Sequence, residues 1–337
     1  MNRKIFIKSF LIICFFLGCN KEESKQKLTS ITIPVSGISG IQKVDDFPFY
    51  VMIYSNNYHF DDYLKTGIYP IFARNSIITE KKPTWACTCF AAMGNSSTIF
   101  FGRNFDWNDC IPLLLITKPA NGYSSISMVD LEYLGFSRSN LPDNPTTNQR
   151  LNRAPYLPFD GMNEKGITIG MMAVESASCI KNPTRITIEE LELIRLVLDY
   201  AASVDEAIQL ISKYNINFTD PPIHYMIADK TGKSAIIEFV GGEMNVILND
   251  NPWQVCTNFI VTGTTAPSNV SCWRYNKAHS YLKEKQGNID LNEAIKLVED
   301  ISQPNTIWTM VYDLQNGKVN ISMSRKYTQW YQYNIAL

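Results

Sequence analysis

The stretch from Cys87 to Trp107 constrains this chain more than any other. Cys87-Thr88-Cys89-Phe90 and Phe101-Gly102-Arg103-Asn104-Phe105-Asp106-Trp107 flank a Gly94-Asn95 turn signal, with Arg103 sixteen positions after Cys87 and Asp106 three further on. The β-branched and aromatic residues that follow the turn predict a hairpin, Cys87 to Met93 as one strand and Thr98 to Asn104 as its partner. The start of one hairpin strand lies beside the end of the other, so Cys87 and Arg103 are expected to be neighbours.

That arrangement has a chemical reading. A thiol attacks an amide carbonyl as the thiolate, and a free cysteine has a pKa of about 8.5. If Cys87 begins a mature chain, its own α-amine, with a pKa of roughly 7.7–8.0, can take the thiol proton, and no histidine is needed. Arg103 would hold the thiolate by charge. Asp106 would orient the new amine by accepting its hydrogen bonds. Taken singly, Cys87 reads as a small buried hydrophobe and Arg103–Asp106 as a surface ion pair. The whole spacing favours the catalytic reading.

The Cys87–Trp107 motif resembles that of the choloylglycine hydrolase family, with its relatives the penicillin V acylases, acid-ceramidase-like amidases and acyltransferase-like linear amide hydrolases. These are N-terminal nucleophile hydrolases. Further matches lie downstream. Phe159-Asp160-Gly161-Met162-Asn163-Glu164-Lys165-Gly166-Ile167 is similar to a family segment and reads as a turn plus strand with a structural role. Ile223 to Asp229, Lys230-Thr231-Gly232-Lys233 and Ser234 to Phe239 resemble a family hairpin. Asn251-Pro252-Trp253-Gln254-Val255-Cys256-Thr257-Asn258 looks like the run whose last asparagine donates to the oxyanion, which assigns that role to Asn258. Arg274, opening a helix towards Lys285, resembles an arginine that lines the catalytic centre. Ala173 falls where the bile-salt branch carries an active-site asparagine, which points to a linear-amide or acyltransferase-like branch. His224, alone in a strand, reads as a packed residue, not a catalyst.

The ends add context. Asn2-Arg3-Lys4 followed by the apolar run from Ile5 to Leu17 reads as a signal peptide over residues 1–18. Phe16-Leu17-Gly18-Cys19 resembles a bacterial lipobox with Cys19 as the lipidated residue. Asn20-Lys21-Glu22-Glu23 is similar to surface-export signals of some lipoproteins. The expectation is an exported bacterial lipoprotein, anchored to a cell-envelope membrane. With 31 basic against 32 acidic residues and no basic stripe, nucleic-acid binding has no electrostatic support. No cysteine pair has zinc-ligand spacing with the three histidines, and no cofactor is implied. Cys89, Cys110, Cys179, Cys256 and Cys272 leave disulfide pairing open.

Residues 19–86 read as a tether and then a propeptide or small subunit. Its apolar runs, Phe47 to Tyr54 and Tyr69 to Phe72, are expected to pack on the catalytic domain, residues 87–337. Leu191, Ile194, Leu198 and Ala201 recur at helical spacing, Ser203 to Glu206 and Asp290 to Glu293 open further helices, and Asn316-Gly317 marks a C-terminal hairpin. Grouped strands and helices indicate an α+β fold. The resemblance sharpens this to a four-layer αββα sandwich.

The function expected from these readings is cysteine-dependent hydrolysis of a small N-acyl amide through an acyl-enzyme, after self-cleavage before Cys87. Interception by an amine would make the same site an acyltransferase. Two other readings compete: a papain-like thiol protease pairing Cys87 or Cys89 with His224 or His279, and a non-catalytic surface binding lipoprotein.

Overall fold

A computed structural model describes residues 29–32, 40–73, 86–142, 149–219, 221–264 and 271–335. The signal segment 1–18 and the lipidation candidate Cys19 lie outside the described residues.

Two sheets stack face to face. Seven strands form the first, in the order Thr29–Thr32, Gln329–Asn334, Lys318–Met323, Thr306–Asp313, Phe100–Asp106, Ala86–Ala92 and Trp253–Cys256. Nine form the second, from Glu243–Leu248 through Ser234–Val240, Ile223–Asp229, Ile167–Ala173, Asp160–Asn163, Ser125–Asp130, Pro112–Thr117 and Phe49–Tyr54 to Ile41–Asp45. Side chains from both inner faces make one apolar core. Of the helices, α1 is Phe60–Thr66, α2 Glu190–Tyr200, α3 Val204–Ile211, α4 Trp273–Glu284 and α5 Leu291–Asp300. The pair α2 and α3 covers the nine-stranded sheet, and α4 and α5 cover the other. Phe90, Phe100, Leu282, Val298 and Trp330 build a second core beneath α4 and α5. This is the expected αββα sandwich.

Local chemistry explains the elements. Strands such as Ile167–Ala173 are buried on both faces because each sheet is sandwiched, which is why they read as continuous apolar runs. Asp290 and Glu293 form a reciprocal capping box at the start of α5. Ser203 caps α3 by accepting from the Glu206 backbone, while the Glu206 carboxylate reaches the Ala202 N–H instead of closing the box. Asn163 fixes the turn after its strand: its Oδ1 accepts from Lys165, and its Nδ2 donates to the Leu198 and Ala201 carbonyls.

The segment before Cys87 is built into both sheets. Phe49–Tyr54 pairs in parallel with Pro112–Thr117 in the nine-stranded sheet, one strand in from its edge, with Phe49, Tyr50, Val51 and Met52 buried. Thr29–Thr32 adds to the edge of the seven-stranded sheet beside Gln329–Asn334. Tyr58 donates to Asp199 at 2.6 Å and fixes the segment to α2.

Candidate active site

Cys87 lies one residue into its strand, and the hairpin with Phe100–Asp106 forms with one correction of register. Cys87 faces Phe105, and Arg103 faces Cys89. Partner residues in an antiparallel pair share a face, so Cys87, Cys89, Arg103 and Phe105 all point between the sheets. Thr88, Asn104 and Asp106 point the other way, towards α4 and α5. The observed partner strand runs two residues further than the expected Thr98–Asn104, because Asp106 still pairs with Ala86.

Arg103 is fully buried and bound from the opposite sheet. Its Nε lies 2.6 Å from Asp160 Oδ2. Its Nη1 donates to the Met171 carbonyl and lies 3.4 Å from Cys89 Sγ. Asp160 is held in turn by Trp308 Nε1 at 3.0 Å and the Tyr312 hydroxyl at 2.6 Å. The segment expected to be merely structural therefore supplies the counter-ion of Arg103. An acidic residue three before a turn asparagine carries no sequence signal for that partnership. Gly170 completes the fit: a Cβ there would stand 3.0 Å from Cys89 Sγ and 3.1 Å from Arg103 Nη1.

The backbone of Cys87 is gripped on both sides. Its N–H donates to Asn258 Oδ1 at 2.7 Å. Its carbonyl accepts from Arg274 Nη1 at 2.5 Å, and the same nitrogen donates to Thr88 Oγ1 at 2.7 Å. Arg274 Nη2 donates to Asn258 Oδ1 at 3.0 Å, and Asn258 Nδ2 donates to the Ala173 carbonyl at 2.8 Å. These partners fix the orientation of the amide, since two donors meet its oxygen and a carbonyl meets its nitrogen. Ala173 thus contributes through its backbone where the bile-salt branch has an asparagine side chain.

Asp106 accepts from Thr306 at 2.5 Å and from Gln303 at 2.7 Å, and lies 3.8 Å from Arg274 Nη1. Burial raises its carboxyl above the ordinary range, against those hydrogen bonds and the two arginines. Burial also pushes the Cys87 thiol up to about 11, opposed by Arg103. In the uncut chain the sulfur is therefore a neutral thiol at pH 7.

His224 sits elsewhere. Its ring nitrogens face Glu238 Oε1 at 2.9 Å and the Thr257 carbonyl at 2.6 Å. Glu238 also accepts from the Val261 and Thr262 backbones, each at 2.8 Å. Together they clamp the turn that carries Asn258. Those hydrogen bonds outweigh burial and hold the Glu238 carboxyl below its ordinary range. His279 packs against Tyr275 and Trp253. Among the described residues neither ring bonds to Cys87 or Cys89, so the papain-like pairing does not form. Cys87, Cys89, Cys110, Cys179, Cys256 and Cys272 are all free thiols.

Comparison with known proteins bears on the fold and the family. The structure is similar to penicillin V acylase from Agrobacterium tumefaciens, with TM-score 0.51, 18% identity, and coverage of 71% of this chain and 83% of that one. It is also similar to a mutant of conjugated bile acid hydrolase from Clostridium perfringens, with TM-score 0.52, 18% identity, and coverage of 74% and 92%. At that identity the likeness shows the shared fold. An uncharacterised protein of Paramecium bursaria Chlorella virus 1 is 31% identical over 110 residues, which is 30% of this chain and 39% of that protein. The family model of linear amide C-N hydrolases, choloylglycine hydrolase family, matches residues 87–286. With more than half its length matched, and its fold that of N-terminal nucleophile hydrolases, this chain belongs to the choloylglycine hydrolase family of linear amide C–N hydrolases.

Proposed function

We infer that this protein is a cysteine amidase that hydrolyses small N-acyl amides, with Cys87 as a nucleophile released by cutting the Ala86–Cys87 bond. The observation that carries the reading is the grip on the Cys87 backbone: Asn258 holds its nitrogen and Arg274 its carbonyl. An ordinary strand residue needs no such dedicated side chains. The family match also begins at Cys87.

Maturation follows from the connectivity. Cys87 Sγ adds to the Ala86 carbonyl carbon, the C–N bond breaks, and the acyl group passes to sulfur while nitrogen takes the proton. Water then hydrolyses the thioester, leaving an Ala86 carboxylate and a Cys87 α-amine. In turnover that amine accepts the thiol proton, and the thiolate attacks the substrate carbonyl carbon. The developing oxyanion accepts a hydrogen bond from the second Asn258 Nδ2 N–H, the first being directed to the Ala173 carbonyl. Arg103 Nη2, buried with no hydrogen-bond partner among the described residues, is a donor for the sulfur. Collapse expels the amine product, which takes the proton from the ammonium, and water releases the acid. An amine in place of water would give acyl transfer at the same centre.

Because its strands pair into both sheets, with Phe49–Tyr54 flanked on both sides, the segment before Cys87 stays bound after the cut. We assign membrane attachment to a lipid on Cys19, which radiolabelled palmitate incorporation lost in Cys19→Ala would test. The activity is tested with a panel of N-acyl amides. Hydrolysis should vanish in Cys87→Ala and fall about 10²–10³-fold in kcat for Asn258→Ala. Turnover that survives Cys87→Ala would overturn the assignment.

A further inference from the structure

A cavity lies beside the core, at the start of α2. It holds about 260 Å³ and is lined by Tyr69, Tyr133, Arg153, Leu157, Leu191 and Glu192, with Glu190 and Thr219 at its rim. Arg153 is 5% exposed, yet its guanidinium makes no hydrogen bond and no ion pair with any described residue. It stacks over the Tyr69 ring, 4.5 Å from the centroid, and interacts by charge with Glu192. A buried cation without a hydrogen-bond partner is costly, and every hydrogen its guanidinium carries is a donor. Glu192 is 1% exposed, with one oxygen accepting from Tyr69 and the other unpartnered. Glu190 likewise has one oxygen on Thr219 and one without a partner. Burial pushes the Glu192 carboxyl up to about 8, so it is a hydrogen-bond donor near neutrality, and burial raises Glu190 as well. Glu189 turns away to Asn217.

We propose that this cavity is a binding site for an organic carboxylate with an aromatic or aliphatic body, in which Arg153 is the counter-ion and the unpartnered Glu192 oxygen is a second polar contact. Arg153 and Glu192 line a space walled largely by aromatic rings and leucines, and a carboxylate with an apolar body satisfies both. The site is composite, since Tyr69 comes from the segment before Cys87. A run of rings also links it to the hairpin that carries the nucleophile. Tyr133 packs edge-on to Phe159, Phe159 edge-on to Phe105, and Phe105 is the cross-strand partner of Cys87.

Resting on the amidase reading, the ligand is a carboxylate on the substrate or the acid that hydrolysis releases. The first test does not depend on turnover. Phenylacetate and phenylacetamide are titrated calorimetrically into full-length Cys87→Ala protein in detergent. Phenylacetate should bind about tenfold or more tighter than its amide, the range expected for a charged hydrogen-bonding pair. Arg153→Gln should erase the difference, Glu192→Gln should keep most of it, and Thr219→Trp at the exposed rim should block both ligands. Equal binding of acid and amide, or unchanged binding in Arg153→Gln and Thr219→Trp, would overturn the site. With active protein, competitive inhibition by phenylacetate places the site on the substrate path, and binding without inhibition makes it an effector site. A protein that binds the acid but hydrolyses no amide keeps the pocket and removes the amidase reading.

Discussion

Replacing Asp160 by asparagine tests the physical centre of the site. The substitution would keep the size of the side chain and one of the two oxygens that accept from Tyr312 and Trp308, but it would leave Arg103 without its counter-ion. Both partners are fully buried at 2.6 Å, so solvent cannot compensate. Removing one member of a buried pair costs about 3–5 kcal/mol, because the other charge stays desolvated and unmatched. Whole domains are stable by only about 5–15 kcal/mol, so the variant should melt far below wild type. The assay is urea unfolding in the Cys87→Ala background, which keeps self-cleavage out of the comparison. Adding Arg103→Leu should recover most of the loss, since an apolar replacement leaves no charge to desolvate. A loss below about 1 kcal/mol, the range of exposed pairs, would refute the reasoning. So would failure of the double variant to recover.

Glu238→Gln should loosen the Asn258 turn, lowering kcat by about 10–100-fold with KM little changed, as expected for one lost charged acceptor. Combined with Asn258→Ala it should add almost nothing; an additive loss would mean that Glu238 acts elsewhere. Gly170→Ala would press a methyl group on Arg103 and Cys89, so slower self-cleavage is expected, read by gel time course; an unchanged rate would show that the guanidinium can shift without consequence. The pH dependence of stability carries the mark of Glu192, whose folded value is raised to about 8. The folded state then binds more protons than the unfolded one between about 4.3 and 8, so its contribution is complete at low pH and fades as pH rises through that window. Glu192→Gln should flatten that decline in thermal melts from pH 5 to 9, and an unchanged slope would contradict it.

Much of this was legible in the sequence because the hairpin, the Asn258 run and Arg274 are local signals. Cap residues likewise announce their own helices, as Asp290 and Glu293 do. What stayed hidden was the partnership across layers. Asp160 is separated from Arg103 by 57 residues and becomes its counter-ion only once the two sheets stack. Arg103 was expected beside Cys87, yet pairing extends to Ala86–Asp106, and this places Cys89 opposite the arginine. Residue types alone cannot set a register to two positions, since such a slip keeps every side chain on its face. His224 was legible as a packed residue, but its clamp on the Asn258 turn needed Glu238 and Thr257 brought beside it. The segment before Cys87 advertised core material, though not that its strands would join both sheets.

The most direct test of the account is the intact mass and N-terminal sequence of protein lacking residues 1–19, beside its Cys87→Ala variant. The account predicts two co-purifying fragments, the larger beginning at Cys87, and a variant that remains one uncut chain. A single uncut chain in both would remove the α-amine base and contradict the mechanism.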